Sequence, residues 1–187
     1  KGFYVPFPEN QEESKTLAEK FIPFFENESI EKVGQNLKYD LKILSNYGIT
    51  VKGKLFDTMI AHYLINPDMR HNMDILAETY LKYSPKSIET LIGKKSKNQK
   101  SMADVELEDI KEYAVEDADI TLQLKEIFAL ELEKTGTRKL FDEIEIPLVK
   151  VLAAMEKEGI QLDVDFLKSL SHELGSDIKT FETTNND

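Results

Sequence analysis

A run of apolar residues at helical spacing between about Leu107 and Lys134 constrains this chain more than any other feature, because acids are built into it. The stretch EYAVEDADITLQL (112–124) packs Glu112, Glu116, Asp117 and Asp119 into a single span of two turns. On a helix advancing about 100° per residue, Ile110, Tyr113, Ala114, Ile120, Thr121 and Leu124 fall within about 60° of Asp117. Glu112 and Asp119 point toward water, and Glu116 sits near the edge of the stripe. Asp117 alone occupies the middle of the apolar arc. A carboxylate held there loses its charge or finds a cation or hydrogen-bond donors, since an unpaired buried charge is very costly. The helix must therefore pack this face on a core and give Asp117 a partner.

Asp40, in NLKYDL, repeats the pattern. Leu37, Ile43, Leu44 and Tyr47 lie within about 60° of it on a helical wheel, while Lys38, Lys42 and Ser45 face away, which places Asp40 on a second buried stripe. Two inward carboxylates on different helices can share a cation, and two-metal phosphoryl chemistry needs several such oxygens. They can equally be unrelated acids, each satisfied by lysines or backbone amides. Tyr113 stands one turn before Asp117, so its hydroxyl can project toward the same cavity or simply be that of a core tyrosine.

Composition narrows the chemistry. The 187 residues include no cysteine and three scattered histidines, so thiolate zinc sites, disulfides and a cysteine nucleophile are excluded and no paired-histidine zinc motif is present. Any metal must be held by oxygen, which favours magnesium, manganese or calcium. With 41% hydrophobic and 32% charged residues, the chain reads as a globular protein. It has no run near the ~18 to 20 apolar residues that span a bilayer, and the cytoplasm is its default compartment, with no membrane partner. A net charge of −11 argues against a generic nucleic-acid binder. Locally the balance reverses: KYSPKSIETLIGKKSKNQK (82–100) carries Lys82, Lys86, Lys94, Lys95, Lys97 and Lys100 against Glu89 alone. That segment is either a solvated loop or a basic arm that touches phosphates.

Along the chain, GFYVPF (2–7) is expected as a short strand, followed by a helix that begins at NQEES and runs to about Glu26. KVGQ (32–35) and KLFDT (54–58) are strand candidates. A helix over 36–48 ends at Gly48, and Asp57 or Thr58 caps the helix MIAHYLI. Helices are expected over about 73–82, 107–134 and 139–157, the last kinked at Pro147, and from a cap at Asp163 through about Glu182. No strand is expected after the long helix, which puts a domain boundary near Thr137, between residues 1–136 and 137–187.

VGQNLKYD (33–40), FDTM (56–59), RHNMD (70–74) and YAVEDADITLQL (113–124) together resemble the 3′–5′ proofreading exonuclease domain of bacterial DNA polymerase I. IEIPLVKVLAAMEKEGIQLD (144–163) is similar to the segment that leads from that domain into the polymerase. The resemblance covers residues 2 to about 182 and implies an α/β, ribonuclease-H-like exonuclease fold with a site of four carboxylates, a tyrosine and two metals. It makes Asp40 the acid of the second motif and Tyr113 and Asp117 the third. The family's first motif, an Asp-x-Glu on the opening strand, is expected upstream of Lys1, so the sequence reads as an internal fragment lacking its first strands and is expected to be inactive by itself.

In the complete domain the resemblance implies removal of 3′-terminal nucleotides with magnesium or manganese. Asp117 would ligate one metal and Asp40 the other, partly through water, while Tyr113 would orient the attacking water. Asn36, Tyr39 and Arg70 match positions that touch the single-stranded 3′ end of DNA; apart from the resemblance, Lys94, Lys95 and Lys97 are the candidate phosphate contacts if segment 82–100 is a basic arm and not a solvated loop. Each also has a plainer role: Asn36 as a helix cap, Tyr39 as a half-exposed flank, Arg70 as a surface charge. The partners implied are DNA and the polymerase domain of the same polypeptide. Two other functions stay open at this point, a degenerate exonuclease-like scaffold beside the polymerase and a helical protein-interaction module.

Overall fold

The fold is organised by one β-α-β crossover. The computed structural model describes residues 1–94, 96 and 99–185. Strand β1 (Lys32–Gly34) leads through helix α3 (Leu37–Asn46) to β2 (Leu55–Asp57), and the two strands pair in parallel with Lys32 opposite Leu55, Val33 opposite Phe56 and Gly34 opposite Asp57. Among the described residues this is the whole sheet, so β1 pairs with β2 on one side and its other edge carries no strand. Parallel strands need a crossover of this kind, and α3 supplies it.

Asp57 holds the crossover together. Its carboxylate is buried and accepts the N–H groups of Met59 (2.9 Å) and Ile60 (3.3 Å), the first turn of α4 (Thr58–Ile65). The same carboxylate accepts the N–H groups of Leu37 (2.7 Å) and Asn36 (3.2 Å), where α3 begins. One side chain thus satisfies orphan donors of two helices, whose positive ends converge on a single anion. Asn36 turns into α3 in the left-handed region, at φ 64°, a conformation that asparagine tolerates better than most residues.

The expected helix ends hold closely where the local signal is strong. Helix α7 runs Leu107–Lys134 and stops before Gly136, which takes φ 71°. Asn10 caps α1 (Gln11–Glu19) by accepting from Glu12 and Glu13. The expected helix to Glu26 is broken, because Pro23 has no N–H to give the preceding turn, and a short α2 (Ile22–Phe25) starts afresh.

The expected strand over 2–7 does not form. Pro6 and Pro8 remove ladder donors, Phe3 and Phe7 stay exposed, and Gly2 instead lies so close to α7 that a Cβ there would meet Val115 Cγ1 at 2.4 Å.

Helix α5 (Met73–Leu76) continues as a π-helical turn, Ala77–Leu81, that ends on Lys82 at φ 56°. The short α6 (Ile88–Ile92) and a 3₁₀ turn at Met102–Asp104 precede α7. After α7, a short α8 (Arg138–Leu140) passes through a second π turn, Phe141–Glu145, into α9 (Ile146–Glu158). The Pro147 kink thus takes the form of a widened turn just before the proline, which relieves the clash of its ring with the previous turn.

The main core joins Phe56 of β2, Ala61 of α4, Leu76 and Ala77, the Ile120, Leu124, Phe128 and Leu132 stripe of α7, and Phe141. Each buried Leu or Phe contributes roughly 1.5 to 3 kcal/mol. His62 is fully buried against Phe128 and Tyr80, with its Nδ1 2.7 Å from His71 Nδ1 and its Nε2 3.1 Å from the Tyr80 hydroxyl. Burial, then the neighbouring His71, lowers the His62 pKa to about 4.

The chain divides into two compact units, Lys1–Ala154 and Met155–Asp187. Strands cease after α7, but the first unit extends to Ala154 because Phe141, Val149 and Ala153 are buried in it. In the second unit Asp163 Oδ1 accepts from Phe166 N–H (2.9 Å) at the start of α10 (Val164–Asn185), as its capping role anticipates.

Candidate active site

β1, α3 and α7 meet around a groove of about 520 Å³ whose walls include Val33, Gly34, Gln35, Asp40, Asp117 and Thr121. Asp40 and Asp117, 77 residues apart in sequence, therefore line the same space. Gly34 makes this possible. A Cβ at that position would strike Leu37 Cδ2 at 2.3 Å and approach Asp40 Oδ2 to 3.8 Å, so the strand can pass under α3 only as glycine. Gln35 lines the floor, where its amide donates to the His71 carbonyl (2.7 Å) and its oxygen accepts from the Thr58 hydroxyl.

The two carboxylates differ in setting. Asp117 is half-buried on the α7 stripe beside the buried Ile120, Thr121 and Leu124, as the wheel requires. Burial raises its pKa, the Tyr113 hydroxyl that donates to it opposes this, and the charges of Glu116 and Asp74 raise it further. Tyr113 is pushed up to about 12 by burial and by the Asp117 charge, so it keeps its proton and remains a donor.

Asp40 departs from expectation. It is exposed at the groove, as is Ile43, so its side of α3 is an open wall rather than a buried stripe. The protein packed behind it, and then the Asp57 charge, still push its carboxyl up to about 6. Asp57 itself is raised by burial, against the four backbone N–H groups that favour its charged form. This electrostatic role of Asp57 has no local sequence signal, because its contacts to α3 lie 20 and 21 residues away.

A second, apolar groove of about 460 Å³ lies on the other flank of β1, between Phe24, Phe25, Leu37, Ile43 and Leu44. Val33, Gly34 and Asp40 border both grooves, so Asp40 stands between them along the unpaired edge of β1. Tyr39, 61% exposed, borders the apolar groove. Asn36 is exposed and occupies the capping position of α3, but its side chain caps nothing, since Asp57 serves there. Arg70 is exposed between α4 and α5, and Lys94 is exposed after α6. Lys95 and Lys97 lie outside the described residues.

Two carboxylates on one groove, each with its pKa raised by burial, suit a hard divalent ion. Asp40 and Asp117 fit the role of its ligands. No cluster of three or more His, Asp or Glu side chains close enough to enclose a metal occurs among the described residues.

Comparison with known proteins places this geometry in a family. A family model described as 3′-5′ exonuclease matches residues 2–133. DNA polymerase I of Borreliella burgdorferi is 39% identical over 170 residues, covering 89% of this chain and 18% of that protein. DNA polymerase I of Pseudomonas aeruginosa is 35% identical over 183 residues, covering 96% of this chain and 20% of that one. The chain thus spans about a fifth of the length of these relatives. Among solved structures, the POL domain of Pol1 from M. smegmatis, in complex with DNA primer-template and dNTP, is similar with a TM-score of 0.67 over 91% of this chain and 26% of that one, at 23% identity. The match over 2–133 takes in the sheet, Asp40, Tyr113 and Asp117, and on it the chain belongs to the 3′–5′ exonuclease domain family of DNA polymerase I.

Proposed function

We propose that residues 1–136 form the greater part of a ribonuclease-H-like exonuclease domain that removes nucleotides from the single-stranded 3′ end of DNA, and that residues 137–187 connect it to a polymerase domain of the same polypeptide. The observation that carries this reading is the convergence of Asp40 and Asp117 on one groove walled by β1, with the Tyr113 hydroxyl bonded to Asp117. A further strand on the edge of β1 away from β2 would lie between the two grooves and could bring its own acids opposite Asp40 and Asp117.

Magnesium or manganese, held by Asp117 directly and by Asp40 partly through water, would supply a water of lowered pKa and neutralise charge at the leaving 3′ oxygen. The chain's own residues do the rest. Tyr113, protonated across the physiological range, donates to Asp117, and its hydroxyl would orient an attacking water beside that carboxylate. Hydrolysis forms the water oxygen–phosphorus bond as that water gives a proton to solvent, and breaks the bond to the 3′ oxygen, which leaves with a proton from solvent. Tyr39, exposed beside Asp40, offers a ring for base stacking. Asn36 and Arg70 are exposed for contacts to sugar and phosphate, and Lys94, Lys95 and Lys97 add sequence-blind attraction.

The test uses the full-length protein and single-stranded DNA labelled at its 5′ end. Stepwise shortening from the 3′ end in magnesium, halted by chelation, is the expected result. Internal cleavage, or shortening that continues with the metal removed, contradicts this reading. A full-length protein that binds DNA without shortening it is the degenerate scaffold instead.

A further inference from the structure

Asp117 has an acidic neighbour that the site leaves unused. Glu116 sits on the α7 flank next to that of Tyr113, and its two carboxylate oxygens take two different donors from a segment some thirty residues away in sequence. The Tyr83 hydroxyl donates to Oε1, and the Lys86 backbone N–H donates to Oε2 at 2.9 Å. One turn earlier on the same flank, Glu112 accepts the Lys86 ammonium at 2.7 Å. The segment is fastened at its start as well, by the Ser84 hydroxyl on Glu78 at 2.7 Å.

We infer that Glu116 is a positioning residue of the exonuclease site, one that fixes residues 83–86 against α7 as a wall beside Tyr113 and so sets where the DNA strand lies. A single exposed ion pair contributes little and would support no such role. Here three donors from one four-residue stretch meet two carboxylates spaced one helical turn apart, which fixes the position of the stretch as well as holding it. The stretch enters on Lys82, whose left-handed φ of 56° redirects the chain out of the π turn, a conformation that non-glycine residues rarely adopt. A strained entry that ends in a bidentate contact defines one path for the backbone. Along that path Tyr83 keeps nearly half of its surface open, with its ring beside a polar-edged groove of about 380 Å³ that also takes in Leu81 and Gln123. An aromatic ring held still at the margin of a cleft offers a base a platform without the entropy cost of ordering it on binding. The hydrogen bond between Tyr113 and Asp117 does not involve the stretch, so that bond persists when the fastening is lost.

This inference rests on the proposed exonuclease reading, and two measurements separate them. In the first, the 187-residue chain is digested with trypsin: Glu116→Ala is expected to speed cleavage after Lys82 and Lys86 about tenfold with little change in Tm. Glu116→Gln, which keeps one acceptor, falls between. In the second, the full-length protein digests single-stranded DNA: Glu116→Ala is expected to raise KM about tenfold with kcat within twofold, Tyr83→Phe to do so more weakly, and Glu116→Gln to restore part of the loss. Unchanged proteolysis shows that the contact holds nothing and overturns the inference. Faster proteolysis with unchanged KM, or a fall in kcat at constant KM, overturns the positioning role while leaving the exonuclease reading intact. An unmodified protein that digests no DNA sinks that reading, and the positioning role falls with it.

Discussion

At the scale of single residues, the site carries its charges at a cost to the fold. Asp40 keeps its proton to about pH 6, well above the ordinary carboxylate range, so folding favours its neutral form. The stability it contributes is fully present below the unfolded pKa of about 4 and is lost as the pH rises through about 6. Two pH units correspond to about 3 kcal/mol at full effect, and the open groove reduces this to about 1 kcal/mol. Asp40→Asn, which mimics the neutral acid, is therefore expected to be about 1 kcal/mol more stable than the parent at pH 7 and equal to it at pH 4, by urea unfolding at each pH. The same substitution should abolish exonuclease turnover in the full-length protein. A variant less stable than its parent at pH 7 would show that Asp40 is an internally satisfied structural acid. Tyr113→Phe loses one hydrogen bond to Asp117 and should lower the rate of nucleotide release about tenfold without unfolding the protein.

At the scale of elements, Asp57 decides the geometry, because it ends β2 and caps both α3 and α4. Removing its carboxylate leaves four backbone N–H groups without their acceptor and uncaps two helices. Asp57→Ala is expected to cost about 3 kcal/mol in urea unfolding, and Asp57→Asn about half of that. A loss under 1 kcal/mol for the alanine variant would mean that water satisfies the two helix starts.

This element also shows what could be read from sequence. The Asp57 cap of α4 is local, two and three residues away, and was legible. Its reach to Leu37 was not, since nothing in FDTM reports a partner 20 residues earlier. Helix α7 was legible to its last residues from its 3.6-residue period and Gly136. GFYVPF has the alternation of a strand, but a strand exists only where another is there to pair with it. The π turn before Pro147 is a compromise between two adjacent turns that no residue pattern marks. The wheel placed Asp40 on a buried stripe because Leu37 and Leu44 face the protein; the groove next to them is a property of the assembled elements.

At the scale of the whole molecule, the chain belongs to the exonuclease family of DNA polymerase I and spans about a fifth of its relatives' length. No helix among its described residues is long and apolar enough to cross a membrane. On the proposed reading the two carboxylates on one groove are part of a metal site, so calorimetric titration of the 187-residue chain with magnesium or manganese should show weak binding that strengthens as the pH rises through about 6. Tight binding at two sites would mean that other residues of this chain complete the set. The central claim is that the groove between Asp40 and Asp117 is where the 3′ end is hydrolysed. Single-turnover release of the 3′-terminal nucleotide from single-stranded DNA, compared between the full-length protein and its Asp117→Ala variant at equal folded concentration, measures it. The account predicts a fall of roughly a thousandfold or more with DNA binding and thermal unfolding unchanged, whereas normal turnover by the variant would contradict it and leave Asp117 a structural acid bonded to Tyr113.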